Sequence, residues 1–112
     1  MLLARDTSGM VVGAVLFLHP NGPLAQMAQD GEAEFRVLAV APEARGQGIG
    51  EAMVDACVQR ARAAGAPAVA LWSQPTMTAA HRLYERLGFV RVPDRDVDDP
   101  RGFRRWVFRK AF

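Results

Sequence analysis

Residues 45 to 50 read RGQGIG: Arg45, Gly46, Gln47, Gly48, Ile49 and Gly50. Glycine loses more backbone freedom on folding than any other residue, so three in six positions mark a place where the chain must turn unusually or let another group come close. Before them, Glu34 to Val40 is rich in strand formers and stops short of Pro42, which cannot donate to a ladder. After them, Ile49, Met53, Val54, Cys57, Val58 and Ala61 recur at three- and four-residue spacing, which predicts an amphipathic helix ending near Gly65. The glycines therefore lie at a strand-to-helix junction, where the first main-chain N–H groups lack helical partners and the helix dipole favours negative charge. A phosphate fits such a place; a merely flexible connection is the alternative. A P-loop would need Gly-Lys-Ser/Thr, but Glu51 and Ala52 follow Gly50. The dinucleotide fingerprint would need a third glycine where Glu51 stands.

Outward from the junction, the chain alternates element types without an internal repeat. Leu2 to Arg5 and Met10 to Leu18 flank the turn-forming Asp6-Thr7-Ser8-Gly9 and read as a strand hairpin. His19 to Gly31, with Pro20, Asn21, Gly22 and Pro23, reads as a long loop. Val69 to Trp72 is a short buried strand. Ala80, Leu83, Tyr84 and Leu87 line one face of a second helix that Gly88 ends. Phe89 to Val92 and Phe103 to Phe108 read as closing strands, with the acidic loop Pro93 to Gly102 between them. The fold class is a mixed α/β (α+β) sheet with two helices, as a single domain over residues 1–112.

Composition sets the outer limits. A chain of 112 residues, half of them apolar, supports one core. Its net charge is +2 and no basic run is interleaved with aromatic residues, so nucleic acid is not an expected partner. The longest apolar stretch, Met10 to Leu18, is far short of the roughly 20 residues of a membrane helix. Met1-Leu2-Leu3-Ala4 runs directly into Arg5 and Asp6, unlike a signal peptide. The single cysteine, Cys57, excludes an internal disulfide and a multi-cysteine zinc site, and no metal is expected. The expected compartment is a reducing cytoplasm.

Arg45, Gly48 and Gly50 fit the signature Gln/Arg-x-x-Gly-x-Gly/Ala. With the preceding Val37-Leu38-Ala39-Val40 and the later Ala80-His81-Arg82-Leu83-Tyr84-Glu85-Arg86-Leu87-Gly88-Phe89, about 35 residues on, the chain resembles the GNAT superfamily of acyl-CoA-dependent N-acyltransferases from about Leu2 to Phe112. The resemblance implies a mostly antiparallel sheet with central splayed strands and flanking helices. It also implies acetyl-CoA as cosubstrate, its pyrophosphate held by the main chain of Arg45, Gly46, Gln47, Gly48, Ile49 and Gly50. The pantetheine arm would pair with Leu38, Ala39 and Val40, and the Leu38 N–H would meet the oxyanion.

Acyl transfer by direct attack of an amine needs a neutral nucleophile, a stabilised oxyanion and a protonated leaving thiolate. Tyr84, the chain's one tyrosine, occupies the family's general-acid position, and a phenol's ordinary pKa of about 10 suits that task; a core tyrosine is the alternative. Glu34, at the start of the strand, stands where some members carry a glutamate that deprotonates the amine through water, or is an exposed strand-end carboxylate. Glu32 is a weaker candidate for the same role. His81, beside Arg82 and Glu85, reads as solvent-facing, and Cys57 as a core residue, which argues against a thioester intermediate on the enzyme.

The acceptor is less legible. Asp94, Asp96, Asp98 and Asp99 either favour a cationic amine at the entrance or form a solvated loop partly balanced by Arg95 and Arg101. Trp72 and Trp106 line a pocket or belong to the core. Met77 stands where many members carry an asparagine. A full member also begins with a strand and helices before the point that Leu2 matches, so the fold is expected to be shortened at its N-terminus and either completed by an upstream segment or paired as a homodimer. The expected activity is N-acetylation of a primary amine on a small molecule, a lysine or an N-terminus. The alternative is a catalytically weak acyl-CoA-binding module that senses acyl-CoA or pairs with a partner protein.

Overall fold

The computed structural model describes residues 1–20, residue 29 and residues 31–112. The expected loop His19 to Gly31 therefore lies mostly outside the described residues. Strands β1 (Leu2–Arg5) and β2 (Val11–Leu18) form the expected hairpin, and β3 (Ala33–Val40) follows. A short 3-10 turn at Pro42–Ala44 leads through the glycines into helix α1 (Ile49–Ala63). Then come β4 (Ala68–Ser73), helix α2 (Thr78–Arg86), β5 (Val90–Arg91), a 3-10 turn at Pro93–Arg95, β6 (Val97–Asp98) and β7 (Arg104–Ala111). The short β6 lies inside the stretch expected to be loop; it pairs with β7, Val97 opposite Arg105 and Asp98 opposite Arg104.

Strand order is β1-β2-β3-β4-β7-β5, and every pairing is antiparallel except β3 with β4. That parallel pair decides the shape of the molecule. It holds register only at Ala33 with Val69 and Glu34 with Ala70, after which the strands part. Beyond the parting, β3 stays bonded to β2 and β4 to β7. A bulge accompanies the separation: between the pairs Ala14–Ala39 and Leu16–Arg36, two residues of β3, Val37 and Leu38, oppose the single Val15 of β2. An extra residue of this kind breaks the ladder and bends the strand.

The core lies on the face that carries the helices. Val15, Phe17, Ala33, Phe35, Val69, Leu71 and Phe108 point to it from the sheet, and Met53, Val54, Cys57, Val58 and Ala61 fill it from α1. Gly13 lets α1 lie close, since a Cβ there would stand 2.8 Å from the Met53 methyl. Both helices end as their glycines predict. Gly65 takes φ +76° while Ala66 N–H reaches the Ala61 carbonyl, and Gly88 takes φ +93° while Lys110 Nζ donates to the Leu87 carbonyl at 2.7 Å. Cys57 is fully buried and burial pushes its thiol up to about 12, in keeping with the expected core role.

Candidate active site

The parting of β3 from β4 opens a cleft of about 590 Å³ lined from both faces of the sheet. Phe35, Leu71 and Tyr84 come from the helix side, Leu16, Arg36 and Trp72 from the opposite side, and Ser73, Gln74, Met77, Ala80 and Arg101 complete the wall. A second cleft of about 470 Å³ lies between the C-terminal end of β3 and the two helices, lined by Ala39, Val40, Arg45, Gly46, Gly50, Ala79, Ala80 and Leu83. Ala80 borders both. The order along the molecule is thus the glycine loop, the second cleft, and then the first cleft, or chamber, that Tyr84 lines.

At the loop, Gly46 and Gly48 take φ +84° and +76°, and a Cβ on either would meet nothing within 4 Å. Glycine is thus required there by backbone conformation, in a place open enough for a ligand. Gly50 is different. Its φ is ordinary, and a Cβ would make normal contacts with Leu83 and Val40 at 3.5 and 3.8 Å. Among the described residues, no main-chain carbonyl makes a close hydrogen bond with the N–H groups of Gly46, Gly48, Ile49 or Gly50. Gly48 is the N-cap of α1, so these donors converge where the helix dipole is positive.

Tyr84 is 5 % exposed and sits among Phe35, Phe89 and Phe108, with ring centroids 6.1, 6.0 and 5.6 Å away. It is both a core ring and a wall of the chamber, so the two readings of this residue describe one side chain. Burial, reinforced by the neighbouring Cys57, pushes the phenol up to about 12. It therefore holds its proton firmly and is less closely matched to a thiol than its ordinary value suggests.

His81 departs from expectation. It is 8 % exposed, not solvent-facing: its ring stacks on Trp106 at 5.5 Å and leans on Phe108 at 5.1 Å, and Nε2 lies 3.2 Å from Oγ of the buried Ser73. Three residues before Tyr84 on a helix is the same face, and that spacing was the available signal; the flanking Arg82 and Glu85 obscured it. Burial lowers the His81 pKa, opposed by a bond to the Gln74 backbone, with smaller opposite influences from Arg91 and Glu85. Ser73 carried no signal in the sequence.

The carboxylates also fall differently. Glu34 is fully buried rather than exposed at a strand end, and at its level the chamber wall is made by Phe35 and Arg36. Glu32 is a structural anchor: Arg95 donates to it at 2.9 and 3.2 Å and Arg109 at 2.7 Å. Burial would raise its pKa, but these bonds and one from the Gln29 N–H outweigh that and hold it below the usual range. Asp96 binds Arg91 through two bonds and accepts the Val107 N–H at 2.8 Å. Asp99 accepts from Arg101 and Arg105 at 2.9 and 2.8 Å, and Asp98 from Arg104 at 3.0 Å. Three of the four aspartates are thus spent on arginines, which removes the argument for a cationic acceptor. Of the balancing arginines expected, Arg101 serves the loop, while Arg95 serves Glu32. Trp72 lines the chamber beneath Arg105, whose guanidinium stands 4.8 Å from the ring, and Trp106 backs His81.

The family model described as "Acetyltransferase (GNAT) family" matches residues 1–89. The chain belongs to the GNAT acetyltransferase family. Its relatives include mycothiol acetyltransferase of Pseudarthrobacter chlorophenolicus, 38% identical over 97 residues, which are 86% of this chain and 28% of that protein. An uncharacterized N-acetyltransferase of Schizosaccharomyces pombe is 36% identical over 90 residues, 80% of this chain and 50% of that one. The chain thus spans half or less of these relatives. Among solved structures, a GCN5-related N-acetyltransferase from Kribbella flavida superimposes with TM-score 0.73 at 27% identity, covering 98% of this chain and 66% of that one. Chaetomium thermophilum Naa20 in complex with a bisubstrate analogue gives TM-score 0.79 at 24% identity, covering 98% and 64%. The GNAT fold expected from the glycine loop, a mixed and mostly antiparallel sheet with two helices, is the fold observed.

Proposed function

We propose that this GNAT chain transfers an acetyl group from acetyl-CoA to a primary amine of a small molecule, a lysine or an N-terminus, by direct attack. The observation that carries the reading is the succession of two clefts that share Ala80, one lined by Arg45, Gly46, Gly50 and the end of β3, the other by Tyr84. The pyrophosphate would lie on Arg45 to Gly50, and the pantetheine arm would pair with Leu38, Ala39 and Val40 on the edge that β4 leaves free. The bulge at Val37 and Leu38 supports the Leu38 N–H as the oxyanion donor, because it turns main-chain groups out of the β2 ladder. As the thioester opens, Tyr84 donates its proton to the departing sulfur. Its raised pKa makes the resulting phenolate a strong base, which regains a proton from the newly acylated nitrogen. Glu34 acting through water is the base of this reading; its carboxylate is buried at the start of β3, beside but not among the residues that line the chamber.

The test is thiol release from acetyl-CoA with a polyamine, an amino sugar, a lysine peptide and a peptide with a free N-terminus. Turnover with one of these, reduced in Tyr84→Phe while coenzyme A still binds, is expected. Binding without turnover for every amine would favour the coenzyme-binding module instead.

A further inference from the structure

Among the described residues, His81 is a buried base that the reading above does not use. His81 is inside the protein, its ring clamped between α2 and the Trp106 and Phe108 side chains of β7, and its one close polar side-chain contact among the described residues is Ser73. Ser73 is the last residue of β4 and lines the chamber that Tyr84 also lines. Resting on the acetyltransferase reading above, we propose that Ser73 and His81 form the proton relay that frees the acceptor amine: Ser73 touches the amine, and His81 acts through Ser73.

The relay balances. An acceptor arriving as an ammonium gives one proton to Oγ of Ser73 while the hydroxyl proton passes to Nε2 of His81, and Ser73 ends unchanged. The neutral amine attacks the thioester carbonyl, forming the C–N bond. The C–S bond then breaks, and the sulfur takes the Tyr84 proton. The second nitrogen proton restores Tyr84, and the proton on His81 returns to water when the products leave. Overall, ammonium and acetyl-CoA give the acetamide, free coenzyme A thiol and one proton.

Two features suit His81 to this. A neutral imidazole carries a single N–H, and in the tautomer with that hydrogen on Nδ1 the Nε2 atom, 3.2 Å from Ser73 Oγ, accepts from the hydroxyl. Among the described residues, the charged and ionisable groups that act on it are Glu85 on its own helix and Arg91 on β5, whose charge Asp96 balances, with Tyr84 one turn on along α2. With burial lowering its pKa below the ordinary 6.5, His81 is neutral at pH 7 and able to receive a proton.

The experiment has two arms on the whole chain. In the first, nitrogen-15 NMR reads the His81 tautomer at pH 7, its signals identified by their loss in His81→Gln. An unprotonated Nε2 is expected; an Nε2–H would overturn the relay. In the second, single-turnover acetyl transfer from bound acetyl-CoA is followed against pH, using whichever probe amine turns over. Ser73→Ala and His81→Gln should each slow the step about 100-fold, the usual order for a general base, with coenzyme A affinity unchanged. The double variant should be no slower than either single one, as expected for groups that act in series. The wild-type rate should fall as pH drops through an inflection below 6.5, and His81→Gln should lose that inflection. Normal rates in the single variants, or multiplying losses in the double, would sink the relay while leaving the acetyltransferase reading intact. No turnover by the wild-type chain with any amine would sink both.

Discussion

Gly48 and Gly50 lie two residues apart in one motif yet have different physical duties. Gly48 occupies φ +76°, a conformation that strains side-chain-bearing residues by roughly 1–2 kcal/mol, whereas Gly50 has room for a methyl group. If the loop holds the coenzyme phosphates, Gly48→Val should therefore weaken coenzyme A binding at least tenfold, through strain and through a branched side chain on the open face of the loop. Gly50→Ala should change affinity less than threefold. Calorimetric titration of both variants checks the pair, and equal affinities would mean that the loop does not hold the phosphates. At Tyr84, removal of the hydroxyl spares the ring contacts with Phe35, Phe89 and Phe108. Tyr84→Phe should slow acetyl transfer about 100-fold with little change in melting temperature or coenzyme affinity. Turnover equal to wild type, with chemistry rate-limiting, would leave Tyr84 a packing residue only.

Among the elements, β3 does most to shape the site, and it is held at both ends by different means. Its C-terminal half diverges from β4, while its N-terminal end is tied down by Glu32, which joins β3 to Arg95 in the 3-10 turn and Arg109 in β7. Replacing Glu32 with Gln removes the negative charge to which Arg95 and Arg109 both donate. A loss of roughly 2 kcal/mol is expected, measurable as a lower denaturant midpoint. The pH dependence follows from the same bonds. Glu32, Asp96 and Asp99 all have pKa values held below the ordinary carboxylate range by arginine partners and main-chain donors. Their stabilisation is therefore complete above about pH 4 to 5, where unfolded carboxylates are already ionised, and is lost as pH falls through the depressed folded values. The melting temperature should decline gently from pH 7 to 5, as the unfolded chain takes up a proton at His81 before the folded chain does, and drop more steeply below pH 4, with the acid drop shallower in Glu32→Gln. A melting temperature insensitive to acid would contradict this account.

For the molecule as a unit, the open side is the β1 end of the sheet. Among the described residues β1 pairs with β2 alone, and Leu3, Met10 and Val11 are 48, 64 and 43 % exposed around that hairpin. An apolar strand edge with unpaired main-chain groups invites another strand or another copy. The purified chain should therefore be a dimer or larger at micromolar concentration by light scattering, and Leu3→Lys should shift it toward monomer. A monomeric wild-type chain would show that this edge is tolerated in water.

The path from residues to function was only partly open to reading. The hairpin, both helices, the glycine loop and the place of Tyr84 follow from local rules: apolar spacing, turn-forming residues and left-handed glycines are all properties of neighbours in the chain. Cys57 in the α1 stripe is of the same kind. The splay between β3 and β4 belongs to pairing between strands about 35 residues apart, and the bulge opposite Val15 to the pairing of β2 with β3 across the intervening loop. The fate of each charge was equally remote. Glu32 meets Arg95 and Arg109 63 and 77 residues away, and local sequence cannot tell such a carboxylate from a free one. His81 looked polar beside Arg82 and Glu85, but Trp106 and Phe108 arrive from β7 to bury it, and β4 delivers Ser73 to its ring. Short-range geometry thus set the elements and the glycine loop. Which buried side chains share the cleft beside Tyr84 was decided by long-range pairing and packing, because only the closed sheet brings those strands to the same helix face.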